Sequence, residues 1–202
     1  MTKSLKITGL ISIAALLWFI MFSPWTRESV PFWTVMTVSG VILTSATLLS
    51  GMVKPVRPDC LFSGAVLGVI SAIVLWGIFW IGKYLSVRWF DFAAGQIDSI
   101  YMIREGMNKT VVSLLLLLII GPAEEIFWRG CIQKYIGGKY DFVVTALIYA
   151  LVHIWSFNFM LVMAALVCGL FWGLLYKLDG RLSVVIVSHA LWDVAAFVLL
   201  PI

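Results

Sequence analysis

Seven long apolar runs separated by short polar connections dominate this chain, and they restrict it to folds that use lipid as a solvent. The runs cover residues 7–22, 32–53, 61–81, 111–132, 142–155, 159–176 and 182–202. The hydrocarbon core of a bilayer is about 30 Å thick, so a helix of roughly 20 residues crosses it. We therefore predict an all-α, polytopic transmembrane helical bundle of about seven spans, in which the short fifth run packs inside the bundle.

Charged residues are scarce enough to exclude several classes of protein. Only 12% of the residues are charged and 62% are hydrophobic, whereas about a quarter of the residues of a soluble domain are charged. A disordered tail and an ordinary cytosolic enzyme are therefore excluded. The net charge is +4, but the basic residues do not cluster on a soluble scaffold, so the expected partner is the lipid bilayer and no nucleic acid.

The chain is predicted to form a single integral membrane domain over residues 1–202. Accessory spans are expected in residues 1–82, and core spans that carry the candidate site in residues 111–202. The connection 83–110 has acidic residues every seven positions, with apolar residues on the opposite helical face. This pattern predicts an amphipathic helix in the membrane interface. Its alternative roles are an ordinary connector and a lid or access ramp for a membrane-borne substrate.

Lysine and arginine positions predict how the chain is oriented in the membrane. With a cytoplasmic N-terminus, nine of these residues lie inside and five lie outside. The first apolar run follows Lys3 and Lys6 as in a signal peptide, but no small-residue cleavage site follows it, so we expect a retained span. The prediction is a multi-pass protein of a prokaryotic plasma membrane with its N-terminus in the cytoplasm.

Six ionisable side chains fall inside the apolar runs, where each is costly. An ionisable group in the hydrocarbon costs about 2.5–3.5 kcal/mol on insertion scales, so it is a functional candidate by default. Four are charged residues and two are the only histidines of the chain: Glu124, Glu125, Arg129, Asp193, His153 and His189. Nearly all the polarity within the spans is therefore concentrated in three of them.

Helical spacing predicts different roles for the two adjacent glutamates of the fourth run. Pro122 lacks a backbone donor and is expected to bend the helix just before them. Glu125 and Arg129 are four residues apart with the acid first, which favours an ion pair within the helix and a structural role. Glu124 points about 100° away. It has no such local partner, which leaves it available as a general base.

The histidines have polar neighbours at the same helical spacing. Tyr149 and His153 share one helix face, and His189 and Asp193 share another. Counted at 1.5 Å per residue from the predicted cytoplasmic ends, the candidates lie about 10–16 Å deep. This predicts one polar site built from three helices and open toward the cytoplasm. The alternative for each pair is a hydrogen bond that only satisfies buried polar groups.

Two kinds of hydrolytic chemistry fit this set of residues. In one, Glu124 activates water, His153 shares or relays the proton, and His189 with Asp193 stabilises the oxyanion. In the other, the same groups hold Zn²⁺. The sequence contains no H-E-x-x-H, G-x-S-G or G-x-G-D motif.

The three cysteines, Cys60, Cys131 and Cys168, show no disulfide or C-x-x-C metal pattern and are expected to be buried apolar residues.

These motifs, in this order, resemble the CAAX protease and bacteriocin-processing family of intramembrane glutamic endopeptidases, also called the Abi family. The resemblance extends over about residues 118–194. It consists of E-E-x-x-x-R-G from Glu124, an aromatic-x-x-x-His ending at His153, and His-x-x-x-Asp from His189. The stretch 168–176 is similar to the family's small-residue helix.

The resemblance implies a role for each matched residue. Glu124 would be the water-activating base, His153 would assist it, and His189 with Asp193 would form the oxyanion site without a metal or other cofactor. The substrate would be a membrane-associated protein or peptide. Tyr149 replaces the usual Phe, and Asp193 stands where the prenyl-protein proteases have Asn. An ionised Asp193 cannot donate to an oxyanion, so we expect it to orient and charge His189.

Two other functions fit the same sequence. A membrane immunity or scaffold protein without catalytic activity would use the polar cluster for packing. A transporter would use it as a buried proton relay.

Overall fold

The computed structural model describes residues 3–53 and 61–202, and the regular structure in these ranges is helical throughout. The eight principal helices are α1 (Lys3–Phe22), α2 (Phe32–Leu49), α3 (Leu61–Trp89), α4 (Ala93–Met102), α5 (Lys109–Ile136), α6 (Asp141–Val152), α7 (Phe159–Asp179) and α8 (Leu182–Val194). Cys60 lies outside the described residues, as does the connection 54–60 that contains it.

The prediction of an all-α membrane bundle is confirmed. Six of the described helices are long and apolar enough to cross a bilayer. The seventh predicted span is a shorter apolar helix over Asp141–Ser156, and its last four residues form a 3₁₀ turn from His153. The predicted number of about seven spans therefore agrees with the structure. The short span is formed by the fifth apolar run, which was expected to pack inside the bundle.

The connection 83–110 contains a separate helix, as predicted, but this helix is shorter than the connection. Residues Lys83–Trp89 continue α3, because nothing in their sequence ends a helix. The separate helix, α4, has only 10 residues. The next span begins at Asn108, whose side chain accepts hydrogen bonds from the backbone N–H groups of Thr110 and Val111.

The helix that carries both glutamates is irregular on either side of them. A π-helical segment, Leu116–Ile120, comes before Pro122, and a second one, Trp128–Gln133, follows the acidic pair. The disturbance expected from Pro122 thus takes the form of a widened turn that accommodates the missing backbone donor. Seven residues of ordinary α-helix remain between the two segments, and they hold Glu124 and Glu125.

Close helix contacts bring the functional helices together. Gly121 of α5 packs so tightly against Ala190 of α8 that a Cβ atom on Gly121 would lie 3.0 Å from the Cα of Ala190. Gly169 of α7 approaches Ala146 of α6 to the same distance. Glycine is required where two backbones come this close. Helix α5 is therefore packed closely against α8, and α6 against α7.

Candidate active site

A cavity of about 520 Å³ collects most of the polar residues that the sequence singles out. Five of them line it, on three different helices: Glu124, Tyr149, His153, His189 and Asp193. The remaining lining is mainly apolar and aromatic. Glu125 and Arg129 lie behind the wall and are completely buried, with exposed fractions of 0% and 1%.

Glu125 is the centre of a buried ionic cluster. Its Oε1 atom accepts from the guanidinium of Arg129 at 2.7 Å, which is the ion pair expected from their spacing. The same oxygen lies 2.7 Å from Nδ1 of His189, a contact that sequence reasoning missed because the two residues are 64 positions apart. Arg129 also donates to the backbone carbonyls of Cys168 and Gly169 at 3.5 and 3.4 Å. The cluster therefore joins α5, α7 and α8.

His189 has a carboxylate on each side of its ring. Nδ1 faces Glu125, and Nε2 lies 3.4 Å from Oδ2 of Asp193. Trp172 stacks on the ring with a centroid distance of 3.9 Å and donates its own N–H to Ser188. A doubly protonated imidazole satisfies both carboxylates, and with Arg129 it balances their two negative charges.

Glu124 occupies a different environment from its neighbour. It lies in the cavity wall with 6% of its surface exposed. Its Oε2 atom accepts a hydrogen bond of 2.9 Å from the hydroxyl of Tyr149. The hydrogen-bond partner of Glu124 is thus a neutral group, whereas Glu125 is held by a guanidinium and an imidazole.

His153 is placed differently from the sequence-based expectation. Its Nδ1 lies 2.7 Å from the backbone carbonyl of Tyr149, and its Nε2 accepts a hydrogen bond of 2.9 Å from the indole of Trp18. The direct hydrogen bond to Glu124 therefore comes from Tyr149 and not from His153. Trp18 lies on α1, 135 residues from His153, and no local sequence pattern connects the two.

Metal ligands are not gathered in the part of the chain that the structure describes. Among residues 3–53 and 61–202, no three side chains of His, Cys, Asp or Glu form a group that could hold a metal ion. Cys131 lies in the hydrophobic core, and Cys168 is a buried residue of the cavity wall. In the zinc arrangement considered from the sequence, the ligands would be Glu124, His153, His189 and Asp193. These four side chains would have to move to hold a metal ion.

The cavity extends to the membrane face that carries the connection 83–110. On that side its lining includes the C-terminal end of α3, α4, and the N-terminal ends of α2 and α7. The turns at Gly138 and Gly180 lie at the other ends of their helices and have the positive φ angles expected for glycine turns. If the N-terminus is cytoplasmic, the C-terminal end of α3 lies on the non-cytoplasmic side of the membrane. The expectations of a cytoplasmic N-terminus and of a site open to the cytoplasm therefore exclude each other.

Labelling of engineered cysteines decides between the two orientations. In a chain with Cys60→Ser, a membrane-impermeant maleimide applied to intact cells should label Asp98→Cys and leave Lys139→Cys unlabelled. This follows from the cytoplasmic N-terminus that the lysine and arginine count favours. Both positions are exposed, so accessibility within the fold is matched. The reverse labelling pattern would reject that orientation and place the mouth of the cavity on the cytoplasmic side.

Comparison with known proteins gives a family match over the part of the chain that carries the polar residues of this cavity. Residues 106–195 match the family model described as type II CAAX prenyl endopeptidase Rce1-like. The match confirms the resemblance to the CAAX protease family and, at family level, indicates a membrane-bound protease. It covers the seven candidate residues but not α1 or Trp18. Comparisons with curated proteins and with solved structures each found no match.

Proposed function

We propose that this chain is an intramembrane endopeptidase that hydrolyses a peptide bond of a membrane-associated protein or peptide. The observation that carries the proposal is the contrast between two adjacent glutamates. Glu125 is bound by Arg129 and His189, whereas Glu124 faces the cavity with only a neutral hydroxyl as its hydrogen-bond partner. A carboxylate in that position is suited to take a proton from water.

The first step is the attack of water on the substrate carbonyl. Glu124 removes a proton from a water molecule, and the water oxygen forms a bond to the carbonyl carbon. Tyr149 donates to Oε2 and so orients the carboxylate, which leaves Oε1 to receive the proton. His153 assists through the backbone of Tyr149, because its Nδ1–H donates to the carbonyl of that residue.

The second requirement is stabilisation of the negative charge on the carbonyl oxygen. We assign this role to Nε2–H of His189, whose contact with Asp193 is long at 3.4 Å. The proton can therefore be shared with an oxyanion that forms beside it. Glu125 holds the opposite nitrogen, and the nearby carboxylate of Asp193 compensates the charge of the ring.

Collapse of the tetrahedral intermediate completes the reaction. The proton held by Glu124 passes to the amide nitrogen, the C–N bond breaks, and a free amine and a carboxylic acid are released. Glu124 returns to its starting state, so water is the only co-reactant. No cofactor or metal ion takes part in this scheme.

The cavity favours a substrate with an apolar, membrane-embedded portion. Aromatic and aliphatic side chains from all eight principal helices line it, and its volume of about 520 Å³ is that of a site for a small molecule or a short peptide. The family description names a CAAX prenyl endopeptidase. We propose a lipid-anchored or membrane-inserted peptide segment as the substrate class.

Terminal-peptide mapping tests the proposed function directly. Membranes from cells that express the wild-type chain should contain new C-termini on membrane-associated proteins, and these should be missing without the chain. A peptide that spans a mapped site should be cut by the purified protein in liposomes, and a chelator should leave the rate unchanged. Loss of cleavage with chelator and recovery with Zn²⁺ would support the zinc enzyme instead. No new termini would support the non-catalytic immunity or scaffold protein.

A further inference from the structure

We infer that Trp18 of α1 is a positioning residue of the active site, and that it acts by holding the ring of His153 in one orientation. This inference rests on the proposed function. Trp18 lies outside residues 106–195, the segment that matches the protease family. It does not line the cavity, and its side chain is 1% exposed. Its connection to the site is the hydrogen bond from its indole N–H to Nε2 of His153.

The two hydrogen bonds of His153 define where its proton lies. An imidazole nitrogen that accepts an N–H must carry a lone pair, so Nε2 is unprotonated when Trp18 donates to it. The hydrogen is then on Nδ1, which is 2.7 Å from the backbone carbonyl of Tyr149 and donates to it. Edge contacts with Trp18 and Tyr149, at centroid distances of 5.8 and 4.9 Å, also pack against the ring.

These contacts form a continuous path from α1 to the proposed base. Trp18 donates to His153, His153 donates to the backbone of Tyr149, and the hydroxyl of Tyr149 donates to Glu124. Tyr149 and His153 lie where α6 ends and a 3₁₀ turn begins. The last turn of α6 is therefore held at the position that presents Tyr149 to Glu124, and α1 supplies part of that constraint.

The tautomer can be observed without any substrate. The chain has two histidines, so ¹⁵N-histidine labelling of the protein in liposomes gives two assignable rings, with His153→Ala as the assignment control. The wild-type His153 should show a protonated Nδ1 and an unprotonated, hydrogen-bonded Nε2. Trp18→Phe should shift the Nε2 signal, because that nitrogen loses its hydrogen-bond donor, while Nδ1 keeps the proton that it donates to the carbonyl of Tyr149. Substitution of Trp18 by benzothienylalanine, which keeps the ring shape and lacks only the N–H, should do the same.

Trp76→Phe is the matched control. Its indole N–H also donates to a distant acceptor, the carbonyl of Leu200 at 3.1 Å, but Trp76 is neither in the cavity wall nor in contact with His153. This variant should leave both histidine spectra and the cleavage rate unchanged. A spectrum of His153 that is identical in the wild type and in both Trp18 variants would overturn the inference.

Kinetics with a mapped substrate peptide test the catalytic consequence. Trp18→Phe should lower kcat about tenfold and leave KM within about twofold, since a misplaced supporting group affects the reacting geometry more than the binding of substrate. In a His153→Ala background, Trp18→Phe should have no further effect, because both changes remove the same interaction. Additive losses would overturn the inference. A wild-type protein that cleaves nothing would instead reject the proposed function, and the spectra alone would then decide whether Trp18 holds the ring of His153.

Discussion

Glu124→Gln should abolish cleavage of membrane-associated peptides while the protein remains folded in the membrane. Glutamine has nearly the shape of glutamate and keeps a carbonyl oxygen to accept the hydrogen bond from Tyr149. It cannot take a proton from water. Removal of a general base typically costs about a hundredfold to ten-thousandfold in rate. Single-turnover cleavage of a mapped peptide in liposomes measures this loss.

The matched control for this substitution is Glu105→Gln. Glu105 is an exposed glutamate in the connection between α4 and α5 and does not line the cavity. The same chemical change there should leave the rate within about twofold. Full processing of substrate by Glu124→Gln, in a protein as stable as the wild type, would exclude glutamate-activated water at this position.

Glu125→Gln should cause a large loss of stability. Glu125 is completely buried and accepts from both Arg129 and His189 through one oxygen. Neutralising it leaves Arg129 as a buried charge without its carboxylate, and breaking a buried ion pair in this way costs about 3–5 kcal/mol. Unfolding of the purified protein in mixed micelles, followed by circular dichroism or tryptophan fluorescence, measures the change.

Asp141→Asn provides the comparison for Glu125→Gln. Asp141 pairs with Lys177 at 2.9 Å near the surface, where 14% of the acid is exposed, and such pairs contribute about 0–1 kcal/mol. The buried and the surface variants should therefore differ several-fold in their effect on the free energy of unfolding. If Glu125→Gln were as stable as Asp141→Asn, the ionic cluster would not contribute to the fold as described.

The sequence predicts this fold well because hydrophobic length alone determines most of it. Spans start and end at polar or glycine residues that can be recognised individually, such as Gly138 and Gly180 at the turns. The connection 83–110 contains the separate helix that was predicted, but this helix is confined to Ala93–Met102, because α3 continues to Trp89. Periodic acidic residues indicate a helical face, but they do not show where one helix stops and the next begins.

The candidate site was predictable only as far as contacts are local. The ion pair of Glu125 with Arg129 and the approach of His189 to Asp193 both follow from four-residue spacing. The contacts of Glu125 with His189 and of Trp18 with His153 join distant helices. They depend on how the helices are rotated and packed. For the same reason, the face on which the cavity opens could not be obtained by counting depth.

The partners of the ionic cluster also impose an order on how the protein is made. Arg129 reaches carbonyls 39 and 40 residues further along the chain, and Glu125 reaches an imidazole 64 residues further along. At about 5–20 residues per second, the ribosome completes that histidine roughly 3–13 s after the glutamate. During this interval the charged side chains of α5 can pair only with one another: Glu124, Glu125 and Arg129. We expect α5 to wait at the translocon, and to leave it for the lipid only together with α7 and α8.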